Sequence, residues 1–138
     1  NPVIKFVLDS SAVLRFIDKE AGAERVRSIF RSCAGDKAEA WVSAIQWGEI
    51  ATVQRKRFGA LEQERSLQRL MQINLRIISA TADRAVHAAE IKVDRKIAYA
   101  DAFAIDLAMD SPDHVLVTAD YDFKAVADLA QIEFLPVK

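Results

Sequence analysis

Residues 3–11 read Val3-Ile4-Lys5-Phe6-Val7-Leu8-Asp9-Ser10-Ser11. Residues 3–8 are rich in β-forming side chains, and so short an apolar run favours a buried strand. Residues 9–11 can each cap the amino terminus of a helix, and residues 12–17 continue with a helical pattern. The stretch therefore predicts a strand that passes directly into a helix, which is the repeating unit of an α/β fold.

The same alternation continues to the end of the chain. Further strands are predicted at residues 40–42, 75–78, 115–117 and 132–135, and further helices at 22–35, 43–57, 81–93, 100–108 and 124–129. Gly59 should break the helix after the second strand, and another amphipathic helix follows it. Alternating strands and helices imply right-handed crossovers and a parallel sheet with helices on both faces. The length of 138 residues fits one domain over residues 1–138.

Local patterns predict how two helices begin and which face one of them buries. Ser43-Ala44-Ile45-Gln46 matches a capping box, with a hydroxyl at the cap and Gln three residues later. Thr81 should cap the next helix. An apolar stripe on that helix is predicted to face the core, and it consists of Ala82, Ala85, Val86, Ala89 and Val93.

Composition excludes several classes of protein. Hydrophobic residues make up 51% of the chain, and four Gly with three Pro are too few for a fibrous or low-complexity sequence. The one cysteine, Cys33, excludes an internal disulfide and, with two separated His, the Cys–His zinc patterns. No apolar run approaches the ~18 residues of a membrane span, and no signal region is recognisable at the start. We therefore expect a cytoplasmic protein with no membrane partner, and its net charge of −1 argues against bulk nucleic-acid binding.

Acidic side chains recur where the predicted topology can bring them to one edge of the sheet. Ligands of open parallel sheets bind beyond the carboxyl ends of the strands. Asp9 directly follows the first strand, and Asp120 and Asp122 follow the fourth strand, just after Thr118. Asp101 opens the apolar helix at 100–108. These segments therefore each present an acid near one common edge.

Glu49 is the fourth candidate, on the helix after the second strand. It shares a helix face with Ile45, Thr52 and Val53, and we expect that face to point inward. Each acid also has a structural alternative: Asp9 and Asp122 could be helix caps, Asp101 could be favoured by a helix amino terminus, and Glu49 could lie on the surface. Among the other chemistry-bearing residues, Cys33 is expected in the core, whereas Asp106, His87 and His114 are expected at the surface.

Four converging acids favour chemistry that depends on a cation. Clustered carboxylates raise one another's pKa and ionise together only around a cation. Mg²⁺ or Mn²⁺ suits a site of oxygen ligands, and such a site can activate water and stabilise the leaving oxygen of a phosphodiester. The chain has no glycine-rich phosphate loop, and its serines near the predicted strand ends lack a suitably spaced His for a Ser–His triad.

Four short motifs now permit a comparison with a known family. They are Val7-Leu8-Asp9-Ser10-Ser11-Ala12, Ser43-Ala44-Ile45-Gln46-Trp47-Gly48-Glu49-Ile50, Tyr99-Ala100-Asp101-Ala102-Phe103-Ala104 and Leu116-Val117-Thr118-Ala119-Asp120-Tyr121-Asp122-Phe123. Over nearly the whole chain, their order and spacing resemble the PIN domain family, and in particular the VapC-type toxins of bacterial toxin–antitoxin pairs.

The resemblance implies a five-stranded parallel sheet of order 3-2-1-4-5 and Mg²⁺-dependent (or Mn²⁺-dependent) endoribonuclease activity. It also implies an RNA substrate, a homodimer and a small antitoxin whose tail blocks the acidic pocket. The catalytic acids carried over are Asp9, Glu49, Asp101 and Asp120, with Asp9, Asp101 and Asp120 as metal ligands. The further candidates for the site are Asp122, Thr118 and Ser10.

A basic stretch offers contacts for the RNA. Arg55, Lys56 and Arg57 end the helix that carries Glu49, and they could bind phosphates. The alternative is that cations at a helix carboxyl terminus are simply electrostatically favourable. For the dimer, the sequence offers little beyond large apolar residues near Gly59, such as Phe58 and Leu61.

Two other classes with an acidic pocket fit the sequence less well. A phosphoacceptor receiver domain needs a pair of acids after the first strand and a Lys after the last, whereas here serines follow Asp9 and Pro136 follows the last strand. A phosphatase of the haloacid dehalogenase type needs a second Asp at the position of Ser11. A non-catalytic module that binds metal to hold the fold stays open as an alternative.

Overall fold

The computed structural model describes residues 3–137, and residues 1, 2 and 138 of the predicted domain lie outside the described residues. Five strands form one sheet in the order β3-β2-β1-β4-β5, and every neighbouring pair is parallel. The strands are β1 Ile4–Leu8, β2 Ala38–Ser43, β3 Leu75–Ile78, β4 His114–Thr118 and β5 Gln131–Phe134. The predicted α/β class and the strand order 3-2-1-4-5 are both confirmed.

Helices connect the strands and cover the sheet. They are α1 Ser10–Ile17, α2 Ala23–Ala34, α3 Ala44–Met71, α4 Ala82–Arg95 and α5 Tyr99–Ala108, followed by a 3₁₀ helix at Tyr121–Val126. The last of these replaces the helix predicted at 124–129. It begins earlier because Asp120 caps it by accepting a hydrogen bond from the Asp122 amide. Within residues 3–137, no helix combines the length and the apolar character that a membrane crossing requires.

The central strand β1 divides the core into two layers. Its neighbouring residues Val7 and Leu8 are both fully buried, and they face opposite sides of the sheet because side chains alternate along a strand. Leu8 packs in the cluster that includes Val13, Ile29 and Ile50 of the helices on one face. Val7 packs in the cluster on the other face, among Phe103, Ile105, Leu116 and Phe123. Burial on both faces explains why the strands read as continuous apolar runs.

The register of the sheet aligns the carboxyl ends of β1 and β4. Leu8 pairs with Val117, and the Asp9 amide still donates to the Val117 carbonyl. Asp9 and Thr118 therefore emerge side by side at one edge. On the other side, β1 pairs with β2 through Val7 and Trp41, so α3 begins near the same edge.

Gly59 breaks α3 as predicted. Its φ of 87° and ψ of 177° are non-helical, in a region that only glycine adopts readily. The two limbs of α3 fold back on each other, so that the Ser66 hydroxyl donates to Gln54 Oε1 at 3.1 Å. At the bend, Phe58 and Leu61 are 53% and 60% exposed.

The face predicted for burial on α4 is wrong. Val86 and Val93 of the predicted stripe are 62% and 73% exposed, whereas Ala88 and Ile91 are buried. The helix has apolar side chains on more than one face, and packing against α5 selects the face that carries Ala88 and Ile91. The remaining apolar face of α4 is left exposed in the single chain.

Asp106 and His114 are more buried than predicted, whereas the His87 side chain is 38% exposed, as expected for a surface residue. Asp106 is 4% exposed because it points from α5 towards α4, where Arg84 Nη1 donates to it at 2.9 Å and His87 Nδ1 lies 2.7 Å away. His114 is 5% exposed; its Nδ1 lies 3.0 Å from the Leu107 carbonyl oxygen. The expectation for Cys33 is confirmed, because it is buried in the core.

Candidate functional site

Asp9 directly follows β1 and caps α1, so it does serve as the helix cap that the structural alternative predicted. Its Oδ1 accepts from the Ala12 amide at 2.9 Å, and its Oδ2 accepts from the Thr118 hydroxyl at 2.6 Å. The residue is only 2% exposed. Burial raises its pKa to about 7, although the hydrogen bonds from Thr118, Ala12 and Ser11 act to lower it. Asp9 is therefore a buried cap, unlike a cap at the protein surface.

Two hydroxyls join Asp9 to the segment after β4. The Ser11 hydroxyl lies 2.8 and 2.9 Å from the two carboxylate oxygens of Asp9 and accepts from the Ala119 amide at 2.8 Å. The Thr118 hydroxyl accepts from the Asp120 amide at 2.9 Å. Thr118, a predicted site candidate, therefore lies directly between two predicted acids. Ser11 was not among the predicted site residues, and its position two residues after a strand-ending acid was the available signal.

Glu49 lies at the boundary of the buried face of α3. The predicted inward face is wrong by one position: Gln46, Ile50 and Gln54 are buried, whereas Ile45 is 36% exposed. Glu49 is half-buried, and its Oε1 accepts from the Ser10 hydroxyl at 3.2 Å. The neighbour of Asp9 thus contacts the acid on α3, and Ser10 takes part in the site network.

Asp101 lies in the first turn of α5 and is half-buried. Its pKa is raised to about 6, first by burial and then by the negative charges of Asp120, Glu49 and Asp122. Asp101 in turn contributes to the raised pKa of Asp9. The charges of these acids therefore influence one another's ionisation across the carboxyl edge of the sheet.

Gln46 is used differently from the capping box that the sequence predicts. Ser43 does cap α3, by accepting from the Ile45 amide. The Gln46 side chain instead leaves its own helix: Oε1 accepts from the Ser10 amide, and Nε2 donates to the Ala100 carbonyl at 2.7 Å and lies 3.5 Å from Asp101 Oδ1. Because the capping box already explained a Gln at this position, the sequence contained no separate signal for its contacts with Ser10, Ala100 and Asp101.

Asp120 and Asp122 lie on the open side of the site. Asp122 is exposed, and its amide donates to Asp120 Oδ1 at 2.9 Å. A cavity of about 280 Å³ lies beside Asp101 and Asp122, and its lining also includes Lys96 and Phe123.

The donor set has the chemistry of a magnesium site. Within residues 3–137, no three His, Cys, Asp or Glu side chains are grouped closely enough to form a ready-made metal cage. Mg²⁺ does not need such a cage, since it keeps several waters and binds proteins through one or two carboxylates. The carboxyl groups of Asp9 and Asp101 have raised pKa values, and a nearby cation would relieve the cost of ionising them. The residues therefore fit Mg²⁺ or Mn²⁺.

The predicted RNA-binding residues lie further along α3 and are exposed. Arg55 Nη1 donates to Gln63 Oε1 at 3.1 Å, and Arg57 forms an ion pair with Asp18 at 3.2 Å. Arg55 to Arg57 follow Glu49 by six to eight residues, which is about 9–12 Å along the helix axis. At that distance these residues do not contact the acids directly.

Comparison with known sequences gives a match over most of the chain. Residues 6–129 match the sequence model of the PIN domain. This chain belongs to the PIN domain family. No curated protein matches the sequence.

Solved structures share this PIN fold at low sequence identity. VapBC2 from Rickettsia felis bound to a DNA fragment from its promoter matches with a TM-score of 0.74 and 16% identity, over 96% of this chain and 100% of that chain. VapC20 from Mycobacterium tuberculosis, a toxin that cleaves the sarcin–ricin loop, matches with a TM-score of 0.71 and 20% identity, over 95% and 99% of the two chains. FitAcB from Neisseria gonorrhoeae matches with a TM-score of 0.64 and 22% identity, over 93% and 96%. These likenesses establish the fold.

In this PIN domain, the four predicted acids therefore come from four different segments that meet at one edge. Asp9 is buried, Asp101 and Glu49 are half-buried, and Asp120 is joined to Asp9 through Thr118. Their catalytic and metal-binding roles, and those of Asp122, Thr118 and Ser10, stay predictions.

Proposed function

We propose that this PIN domain is a Mg²⁺-dependent endoribonuclease and the toxin of a bacterial toxin–antitoxin pair. The observation that carries the proposal is the network that joins the acids: the buried Asp9 carboxylate accepts from the Thr118 hydroxyl, which accepts from the Asp120 amide, and Gln46 links the residue after Asp9 to Asp101. In keeping with it, the pKa of Asp9 is raised to about 7 and that of Asp101 to about 6. Groups perturbed by burial and by neighbouring charges are characteristic of functional sites. Support from the fold comes from VapC20, a structural neighbour that is a toxin cleaving the sarcin–ricin loop.

The residues divide into ligands and orienting groups. Asp9, Asp101 and Asp120 are the proposed ligands. One or two of these carboxylates would bind the ion directly and the rest through its waters, and a bound Mg²⁺ would supply a Lewis acid that activates water and stabilises the leaving oxygen of a phosphodiester. Glu49 accepts a hydrogen bond from Ser10 through one oxygen, which leaves the other oxygen to orient a water and to receive its proton. Thr118 and Ser11 hold the Asp9 carboxylate in place through their hydroxyls.

The basic stretch would bind the RNA backbone away from the acids. Arg55, Lys56 and Arg57 carry positive charge to the exposed end of the first limb of α3. Phosphate contacts there would hold the strand in a sequence-independent manner. Replacing Arg55 and Lys56 by Gln should raise KM for RNA and flatten its salt dependence, while kcat stays near the parental value.

Controlled cleavage assays test the activity. The purified protein should cut RNA with Mg²⁺ or Mn²⁺ and stop cutting in chelator, and mapping of the cleavage ends in total RNA would identify the site. Asp101→Asn should lose most of the activity, whereas Asp36→Asn, at the opposite end of the sheet, should keep it. Cleavage that persists in chelator contradicts the metal dependence. Binding of metal without any cleavage favours the alternative, a non-catalytic or phosphoacceptor acidic-pocket domain.

A small antitoxin is the proposed protein partner. Several structural neighbours are toxin–antitoxin complexes, and the acidic edge would attract a cationic segment. An antitoxin tail placed over Asp9 and Asp101 would exclude both the ion and the RNA. The complex should therefore show weaker Mn²⁺ binding than the free toxin, and equal binding would place the antitoxin elsewhere.

A homodimer is also proposed, through the exposed face of α4. Val86, Ala89 and Val93 line a shallow groove of about 830 Å³ together with Met109. A second copy would cover this unusual run of exposed apolar side chains. Light scattering should give a dimer mass at micromolar concentration, and Val86→Glu should give a monomer. Phe58→Glu, at the bend of α3, should leave the dimer intact, and the reverse pattern would move the interface to that bend.

A further inference from the structure

Gln46 stands out among the buried polar residues because its side chain connects three elements. It lies on α3 and is fully buried, at 0% exposure. Its amide oxygen accepts from the Ser10 amide at the start of α1, and its amide nitrogen donates to the Ala100 carbonyl at 2.7 Å in α5. The same nitrogen lies 3.5 Å from Asp101 Oδ1. Gln46 therefore contacts the residue that follows Asp9, the residue that precedes Asp101, and Asp101 itself.

The chemistry of these contacts requires an amide. The side of the group towards α1 must accept a hydrogen bond, and the side towards α5 must donate one, which is a combination that Gln supplies and Glu or Leu does not. An apolar side chain would leave the buried Ser10 amide without a partner, at the cost of a lost hydrogen bond. A carboxylate at this position would place a negative charge against the Ala100 carbonyl oxygen and the Asp101 carboxylate.

Helix capping does not account for Gln46. Ser43 already caps α3 through the Ile45 amide, and in a capping box the glutamine side chain would turn back to the amide of the cap residue. Here it extends away from its own helix terminus. The side chain therefore fixes the distance between the amino termini of α1 and α5, which carry Asp9 and Asp101.

We propose that Gln46 is a positioning residue for the metal site: it ties the start of α1, next to Asp9, to the start of α5, and so sets the relative placement of the Asp9 and Asp101 carboxylates. The inference rests on the proposed function, since it assigns a role within that site. Groups that orient metal ligands through hydrogen bonds commonly change metal affinity by about 10- to 100-fold when they are removed.

Gln54 provides a matched control on the same helix. It is also a buried glutamine, at 1% exposure, but its Oε1 accepts from Ser66 within the α3 hairpin. Within residues 3–137, its Nε2 has no hydrogen-bond partner. Gln54→Met removes a buried amide without touching the four site acids. It therefore reproduces the packing change of Gln46→Met but not the loss of the contacts with Ser10, Ala100 and Asp101.

Direct Mn²⁺ binding by calorimetry on the intact protein is the test. Gln46→Met should bind Mn²⁺ about 10- to 100-fold more weakly than the parent, and Gln54→Met should bind it with parental affinity. In the RNA cleavage assay, Gln46→Met should lose rate at low Mn²⁺ and recover much of it at saturating Mn²⁺, with an unchanged KM for RNA because Gln46 is inaccessible to substrate. A folded Gln46→Met protein with parental Mn²⁺ affinity overturns the proposal.

A measurement on the parent covers the case in which Gln46→Met does not fold. The side-chain amide signals of Gln46 in a ¹⁵N-resolved spectrum should shift during Mg²⁺ titration with the affinity of the metal site, and those of Gln54 should not. Gln46 signals that do not respond overturn the proposal. If the parent binds no divalent ion, the proposed function fails together with this role. If the parent binds and cleaves while Gln46→Met matches it, only the role of Gln46 fails.

Discussion

Replacing Asp9 by Asn should stabilise the metal-free protein at alkaline pH and have a much smaller effect in acid. Burial raises the pKa of Asp9 from 3.8 to about 7, so the folded state holds this proton more tightly than the unfolded state does. The contribution of Asp9 to the free energy of unfolding is therefore greatest below the pKa that Asp9 has in the unfolded state. This contribution is lost as the pH rises towards 7. Asn is neutral at every pH and escapes this loss.

The structure sets the size of the effect. A shift from 3.8 to about 7 corresponds to about 4 kcal/mol at pH values above both, since each unit is worth about 1.4 kcal/mol. Between about pH 5 and about pH 8 the advantage of Asn over Asp should grow by about 3 kcal/mol. The shape is conserved: Asn retains the acceptor for the Ala12 amide, and the Thr118 hydroxyl can turn to accept from the new NH₂ group. The cap on α1 should survive, because Asn caps helices as well as Asp does.

Urea denaturation of both proteins in chelator, near pH 5 and near pH 8, measures this difference. Asp36→Asn is the control, because Asp36 is exposed at the other end of the sheet and the same chemical change there should have the same small effect at both pH values. Addition of Mg²⁺ should raise the melting temperature of the parent and not that of Asp9→Asn, because an ion that binds only the folded state stabilises it by mass action. RNA cleavage by Asp9→Asn should fall by orders of magnitude. A stability difference that is equal at the two pH values, or an Asn variant that melts below the parent near pH 8, would refute the assignment of Asp9 as a buried site acid.

Three further predictions concern stability alone and use urea denaturation. Gly59→Ala should cost about 1–3 kcal/mol because its backbone lies in a region closed to other residues. Gly48→Ala, in a helical part of α3 where the added carbon meets no side chain or other element within 4 Å, should instead gain about 0.5–1 kcal/mol; equal effects would contradict the bend. Ala98→Ser should gain about 1 kcal/mol, since Ala98 caps α5 without a side-chain hydrogen bond to the described chain and Ser supplies one; a loss would mean that the cap position is constrained. Arg84→Leu should cost about 3 kcal/mol by leaving the buried Asp106 carboxylate without its ion pair, and an unchanged free energy of unfolding would contradict a contribution of this ion pair to stability.

The sequence by itself determined the elements and most of their ends. Apolar runs too short for helices marked the strands, and Gly59 interrupted a helical pattern at the residue where the structure bends. Asp9 could be placed because a strand ends immediately before it, and a parallel sheet brings the ends of neighbouring strands to one edge. Local patterns of this kind depend on neighbours in the chain, so they are visible without the fold.

The tertiary structure alone decided which side chains are buried on helices that carry more than one apolar face. Ile45 was placed on the wrong face of α3, and Glu49 lies only at the boundary of the buried face, because a shift of one residue turns a helix by about 100°. The partners that select the face come from distant segments. The exposed Val86 and the buried Asp106 have the same cause, since packing between α4 and α5 selects one face of each. Gln46 is the clearest case: its pattern with Ser43 fits a cap, but Ser10 and Ala100 offer its amide buried partners that no local pattern reveals. A buried polar group forms hydrogen bonds with the groups that the tertiary structure places next to it. Its partners therefore follow from the packing.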